Sequence, residues 1–121
     1  MKIRIEVNEI ELTGELKKTS LAEKITEILP IISKGRTWGE EIYFPVSLKE
    51  KLQYPTEVVE IGDLAYWEEG NCLCLFYGKT PISTEDEIRP ASPVEVVGQF
   101  TGNMEELKKI SSECSVRVKK L

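Results

Sequence analysis

The chemistry open to this chain is limited first by residue types that it lacks. The sequence contains no histidine, which excludes Ser-His-Asp and Cys-His catalysis and histidine-ligated zinc or haem. Cys72 and Cys74 have a C-x-C spacing, and Cys114 lies far along the chain. That spacing matches neither a C-x-x-C redox pair nor half of a zinc site. We therefore predict reduced, buried thiols, no metal site and no cofactor.

Three polar motifs have the composition of functional sites but not their spacing. Gly-Lys-Thr at 78–80 matches the end of a phosphate-binding loop, yet Leu73 stands where that motif requires glycine. The acidic run 85–87 lacks the alternation and the glycine of a calcium loop. The adjacent glutamates at 40–41 and at 68–69 point to opposite faces of a strand, so neither pair forms an acid–base dyad.

Two of the four arginines, Arg36 and Arg89, flank loops and are the candidate catalytic hydrogen-bond donors. A guanidinium is planar and can aim a directed hydrogen bond. The competing interpretation is an exposed cation that pairs with a nearby acid and contributes under ~1 kcal/mol. Arg4 and Arg117 are predicted to lie in strands, opposite the apolar face, and are not candidates.

Short strands account for most of the predicted secondary structure. Alternation or short apolar runs predict them at 2–14 (as a hairpin), 41–44, 58–61, 64–67, 72–77, 94–100 and 116–119. The run 72–77 is apolar throughout, which is typical of a strand covered on both faces. Gly35 predicts a turn, and 47–57 and 78–93 predict irregular segments.

Two capping motifs predict short helices. Ser20 and Glu23 form an S-x-x-E capping box, in which the Ser20 hydroxyl accepts a hydrogen bond from the Glu23 amide. Apolar residues follow at helical spacing, and Pro30 ends the helix near Leu29. Asn103 is the predicted cap of the second helix.

Many short strands without crossover helices predict a mainly β fold. A parallel sheet needs crossover helices, whereas a closed antiparallel barrel removes exposed strand edges. The 121 residues, 40% apolar and 31% charged, are enough for a single domain over 1–121.

Charge and hydropathy limit the expected partners. The net charge of −5 argues against nucleic acid and anionic membranes, which attract cationic surfaces. No apolar run approaches the length of about 20 residues that a membrane span needs. The N-terminus alternates charged and apolar residues and shows no signal peptide. We expect a cytoplasmic monomer or homodimer.

Three segments in order resemble the prokaryotic cyclophilin-like family of small domains. They are WGEEIYF at 38–44, EIGDLAYW with GNCLCLFYGKTP at 60–67 and 70–81, and ASPVEVVG at 91–98. The resemblance implies the cyclophilin fold, a closed eight-stranded antiparallel barrel capped by two short helices. True cyclophilins isomerise X–Pro bonds with a Phe-His-Arg triplet whose arginine donates toward the prolyl nitrogen. This sequence contains no such triplet.

The expected function is therefore binding rather than catalysis. We predict a module that binds a peptide or small molecule at one mouth of the barrel, with prolyl isomerase activity weak or absent. The candidate ligand contacts are aromatic or polar side chains: Trp38, Glu41, Tyr43, Phe76, Thr80, Arg89 and Ser92. Two alternatives stay open, namely a prolyl isomerase with its donor relocated to Arg36 or Arg89, and a structural or oligomerisation module.

Overall fold

Eight antiparallel strands form a closed barrel in the computed structural model, which describes every residue from Met1 to Leu121. The strands are β1 (Lys2–Val7), β2 (Ile10–Leu16), β3 (Ile31–Thr37), β4 (Glu41–Pro45), β5 (Asp63–Trp67), β6 (Cys72–Phe76), β7 (Val94–Thr101) and β8 (Glu113–Lys120). Their order around the barrel is β1-β2-β7-β5-β6-β4-β3-β8, and β8 pairs with β1 to close it. The predicted closed eight-stranded barrel is confirmed.

The barrel interior is filled by side chains from alternate positions of its strands. In β1, Ile3, Ile5 and Val7 are fully buried, and the charged residues between them face outward. They belong to a core cluster of 22 buried residues. An interior packed in this way is a hydrophobic core and not a channel.

Two short helices, α1 (Ser20–Glu27) and α2 (Met104–Leu107), complete the predicted fold. The cap of α1 differs from the prediction: Thr19, not Ser20, takes the extended cap conformation, and its hydroxyl accepts from the Ala22 amide at 3.3 Å. Ser20 is therefore the first residue inside the helix. Asn103 caps α2 as predicted, since its Oδ1 accepts from the Glu106 amide at 3.2 Å. No helix is long and apolar enough to cross a membrane.

Gly35, predicted to mark a turn, instead lies within β3. A side chain there would come within 3.0–3.1 Å of Ile42, Cys114 and Val116, so the position needs glycine for packing rather than for chain reversal. The predicted strand at 58–61 is also wrong, because the segment makes only an isolated bridge between Val59 and Ile88.

A second, smaller apolar cluster lies on the outer face of the barrel. It consists of Val59, Ala65, Cys74, Phe76 and Val94, with Ile88 packed against it. Because the interior core and this outer cluster cover its two faces, all five residues of β6 are buried. This confirms the expectation of a strand covered on both sides. The covering segments come from the irregular regions around Val59 and Ile88.

Candidate functional site

A cavity of about 270 Å³ adjoins the outer apolar cluster. Its lining residues come from the start of the β3–β4 turn, from β4, β5 and β6, and from the chain that enters β7: Trp38, Glu41, Tyr43, Trp67, Cys74, Pro90, Ala91 and Val94. The alternating residues of β4, Ile42 and Phe44, point into the interior core. The cavity therefore lies on the outer wall of the barrel. The ligand site expected at the barrel mouth stays a prediction.

The β3–β4 hairpin turn places Trp38 beside Glu41. The Trp38 amide donates to the Glu41 carbonyl at 2.8 Å, and Gly39 between them has a φ of +61°. Glycine adopts that conformation without strain. A side chain at Gly39 would also come within 2.8 Å of the Lys79 carbonyl oxygen. The turn thus holds one aromatic ring and one carboxyl at the same edge of the cavity.

Tyr43 and Trp67 form an edge-to-face aromatic pair. Their ring centroids are 6.2 Å apart and the rings are inclined at 80°, a favoured geometry for two aromatic quadrupoles. The indole N–H of Trp67 donates to the hydroxyl of Ser92, which satisfies that polar group and fixes the ring. Ser92, predicted as a ligand contact, therefore positions Trp67 and does not itself line the cavity.

Glu41 is the one charged residue that lines the cavity. Its side chain is buried, with 5% exposed, and its Oε1 has no hydrogen-bond partner. Desolvation raises the pKa of Glu41 to about 7, against a smaller lowering effect of a hydrogen bond with the Cys74 thiol. At neutral pH this carboxyl is therefore divided between its neutral and ionised forms.

The cysteines are free and buried, as predicted. Burial raises the pKa of the Cys72 thiol to about 11, and the Glu41 charge adds to the effect. Burial first, and Glu41 second, also hold the pKa of Cys74 well above its usual value. Thiols with raised pKa values are poor nucleophiles, so Cys74 acts at the cavity as a neutral donor beside Glu41.

Two predicted contacts, Phe76 and Thr80, lie beneath or behind the cavity. Phe76 is fully buried in the outer cluster. The Thr80 hydroxyl donates to the Arg89 carbonyl, and the Thr80 amide donates to the Ser83 hydroxyl at 2.9 Å. Thr80 therefore fixes the shape of the loop that leads to Pro90.

Neither candidate arginine lines the cavity. The Arg89 guanidinium pairs with Glu87 at 2.9 Å, and the Arg36 guanidinium pairs with Glu113 at 3.4 Å. The Arg36 pair is exposed and the Arg89 pair is partly exposed, in line with the competing interpretation weighed for these residues. Only the residue after Arg89, Pro90, contributes to the lining.

Sequence reasoning found Trp38, Glu41 and Tyr43 but missed the rest of the lining. Trp67 is the most important omission. The sequence contained part of the information needed to find it. Successive residues of β5 point to opposite faces, so Trp67 lies on the opposite face from the buried Tyr66. That Trp67 lies near the residues of β4 follows only from the strand order β4-β6-β5-β7, which the sequence does not reveal.

A second buried carboxyl, Glu95, shows how this fold provides hydrogen-bond donors to an acid with a structural role. It is 1% exposed, and its Oε1 accepts from the amides of Gln53 and Tyr54 at 2.7 and 3.0 Å. Its other oxygen has no partner. Glu95 thereby holds the 47–57 segment against the barrel, a role that the sequence analysis did not identify. No backbone amide donates a hydrogen bond to the Glu41 carboxyl.

Comparison with known proteins extends these findings. The family model described as Cyclophilin-like matches residues 1–119. The solution structure of the hypothetical protein AF2241 from Archaeoglobus fulgidus is similar, with 39% identity and a TM-score of 0.83, over 100% of this chain and 95% of that chain. A search of curated proteins found no match.

Proposed function

The chain belongs to the cyclophilin-like family, and from this premise we propose that it is a non-catalytic binding module. Its ligand is a small molecule or a single side chain of a peptide, and it occupies the cavity on the outer wall. A volume of about 270 Å³ lies near the lower limit of ligand pockets, roughly 300 Å³. Such a volume suits a small group and not an extended peptide.

The observation that carries the proposal is the composition of the cavity. Trp38, Tyr43 and Trp67 are only partly buried, although aromatic side chains of this size stabilise a fold most when they are covered. The same lining contains the carboxyl of Glu41, whose Oε1 has no hydrogen-bond partner. An apolar concave surface with a few convergent polar groups is typical of a ligand site. A bound ligand would cover the rings and lie beside the Glu41 carboxyl.

A prolyl isomerase is the second candidate, and the position of Arg89 favours it. Arg89 precedes Pro90, a cavity residue, so its guanidinium is the nearest one in sequence to the lining. Its ion pair with Glu87 holds it outside the cavity. Activity would require that pair to break and the guanidinium to turn inward. No observation in the structure specifically favours the structural or oligomerisation alternative.

Tryptophan fluorescence provides a direct test of the binding proposal. The chain contains two tryptophans, and both line the cavity. We expect members of a panel of small metabolites and short peptides to change the emission saturably and to raise the thermal midpoint. Ala91→Leu, at an exposed position of the lining, should abolish both effects by occupying the cavity. Ser111→Leu, at an exposed position outside the lining, is the matched control and should bind as the wild type does.

Two results would contradict the proposal. One is a panel in which no compound changes the wild-type emission or its midpoint. The other is binding that Ala91→Leu and Ser111→Leu retain equally, which would place the ligand elsewhere.

A further inference from the structure

We propose that the cavity is specific for an alkylammonium group, with Glu41 as its counter-ion and the rings of Trp38, Tyr43 and Trp67 as its walls. The group is a nitrogen cation with carbon substituents, carried either by a free small molecule or by a lysine side chain. This inference rests on the proposed function and names the chemical class of its ligand.

The aromatic walls favour a cation over a neutral apolar ligand. The faces of tryptophan and tyrosine rings carry negative electrostatic potential, and they attract alkylated ammonium groups within about 6 Å of the ring centroid. Tyr43 and Trp67 meet at 80° and so form the two sides of a corner. The Ser92 hydroxyl holds the Trp67 ring in that orientation, so the corner exists before the ligand arrives. Trp38 comes from the β3–β4 turn and lines the same cavity.

The charge of the lining points to the same class of ligand. Glu41 is the single carboxyl group of the lining, and no lysine or arginine contributes to it. A buried carboxylate with only a thiol donor beside it is unfavourable, since neither water nor a counter-ion compensates its lost solvation. A cation beside Glu41 would remove that penalty. An anionic ligand would increase it, and a neutral alkyl group would leave it unchanged.

Glu41 is the group whose charge controls cation binding, because the ionisable groups around it do not change charge in the lining below pH 8. Cys72 and Cys74 face it from β6, and Tyr77 follows that strand. Burial raises the pKa of each, so all three stay neutral below pH 8. Tyr43 lies on the same strand as Glu41, and the nearby Glu40 is partly exposed in the turn. The β5 residue Trp67 and the chain at 90–94 bring no charge to the lining.

The test compares choline with dimethylbutanol, its neutral isostere, in which a quaternary carbon replaces the nitrogen. We expect choline to change the tryptophan emission saturably, with a dissociation constant at least ~10-fold lower than that of dimethylbutanol. Glu41→Gln should bring the two constants together by weakening choline binding. Glu9→Gln removes one exposed charge in the β1–β2 turn and is the matched control, which should keep the wild-type preference.

A pH series on the wild-type protein tests the same inference without any substitution. Choline carries a permanent charge, so only the protein titrates. Because ionised Glu41 is the form that favours choline, calorimetry should show choline affinity at least ~5-fold weaker at pH 5.5 than at pH 8. Dimethylbutanol affinity should stay constant over that range. This arm keeps the inference testable even where Glu41→Gln fails to fold.

Equal binding of choline and dimethylbutanol, or choline affinity independent of pH, would overturn the cation inference and leave the binding module intact. Failure of both probes to bind would also overturn it, while the panel experiment with Ala91→Leu decides the binding module separately. A peptide that carries trimethyllysine distinguishes the two ligand sources. Peptide binding tighter than choline binding identifies a protein side chain as the ligand, and the reverse order identifies a free amine.

Discussion

Glu41 and Glu95 are both buried acids, yet their surroundings differ in kind. Glu95 receives two backbone amides on one oxygen and anchors a segment of chain. Each acid has one oxygen without a partner, but Glu41 receives no backbone amide and has only the Cys74 thiol beside it. A buried carboxyl with a raised pKa in a cavity is a candidate functional group, and its burial is unfavourable to the native state when it is ionised. Its removal should therefore stabilise the protein.

We expect Glu41→Gln to raise the free energy of unfolding at alkaline pH. The pKa of Glu41 is about 7 when folded and 4.5 in its ordinary state, so the folded protein binds the proton more tightly. The stability that the proton contributes is complete below pH 4.5 and is lost as pH rises through 7. Wild-type stability should thus fall by about 2–3 kcal/mol between pH 5 and pH 8 from this group alone.

Urea unfolding of the wild type and of Glu41→Gln at those two pH values measures the effect. The background is favourable, because the chain has no histidine to titrate in the same interval. Glu9→Gln, at an exposed turn position, controls for the general loss of one negative charge. Parallel pH profiles for the wild type and Glu41→Gln would refute the assignment of the titrating group.

At the scale of elements, α1 provides a direct test of its cap. Thr19 supplies the capping hydroxyl, whereas Ser20 lies inside the first turn. Thr19→Ala should therefore destabilise the protein by ~1 kcal/mol, because the Ala22 amide loses its partner. Ser20→Ala should change stability by only a few tenths of a kcal/mol, since it removes no capping bond. Denaturant midpoints at constant slope compare the two variants directly, and the reverse order of effects would restore the capping box at Ser20.

The elements also show what local sequence can predict here. Alternation was sufficient for β1, and the uninterrupted apolar run of β6 correctly predicted burial on both faces. β3 was missed because Gly35 suggests a turn, and the reason for a glycine there is distant in sequence: Cys114 and Val116 of β8 pack against it. The same limit applies to the site. Trp38, Glu41 and Tyr43 lie close together in the chain and were found, whereas Trp67 joins them only through the order of the strands.

At the scale of the whole molecule, the cyclophilin-like fold is combined with a cavity whose lining contains no guanidinium. A barrel of this shape does not itself determine the activity. Isomerisation of an X–Pro bond must cross a barrier of ~18–20 kcal/mol, and an aimed donor contributes by stabilising the twisted amide. In this chain Arg36 and Arg89 are paired with Glu113 and Glu87 outside the cavity. The Glu41 carboxylate, as an acceptor, cannot replace them when it is ionised.

We therefore predict little or no acceleration of X–Pro isomerisation. The uncatalysed reaction takes tens to hundreds of seconds at 25 °C, so a protease-free peptide assay detects even weak catalysis.

Should acceleration appear, Arg89→Lys and Arg36→Lys identify its origin, because lysine keeps the charge and loses the planar fork. Activity that collapses in Arg89→Lys and survives in Arg36→Lys would mean that the Glu87 pair opens and that Arg89 turns toward Pro90. Activity that survives in both variants would place the donor elsewhere. The protonated form of Glu41 would then be the next group to examine, since catalysis by it would decline as pH rises through about 7.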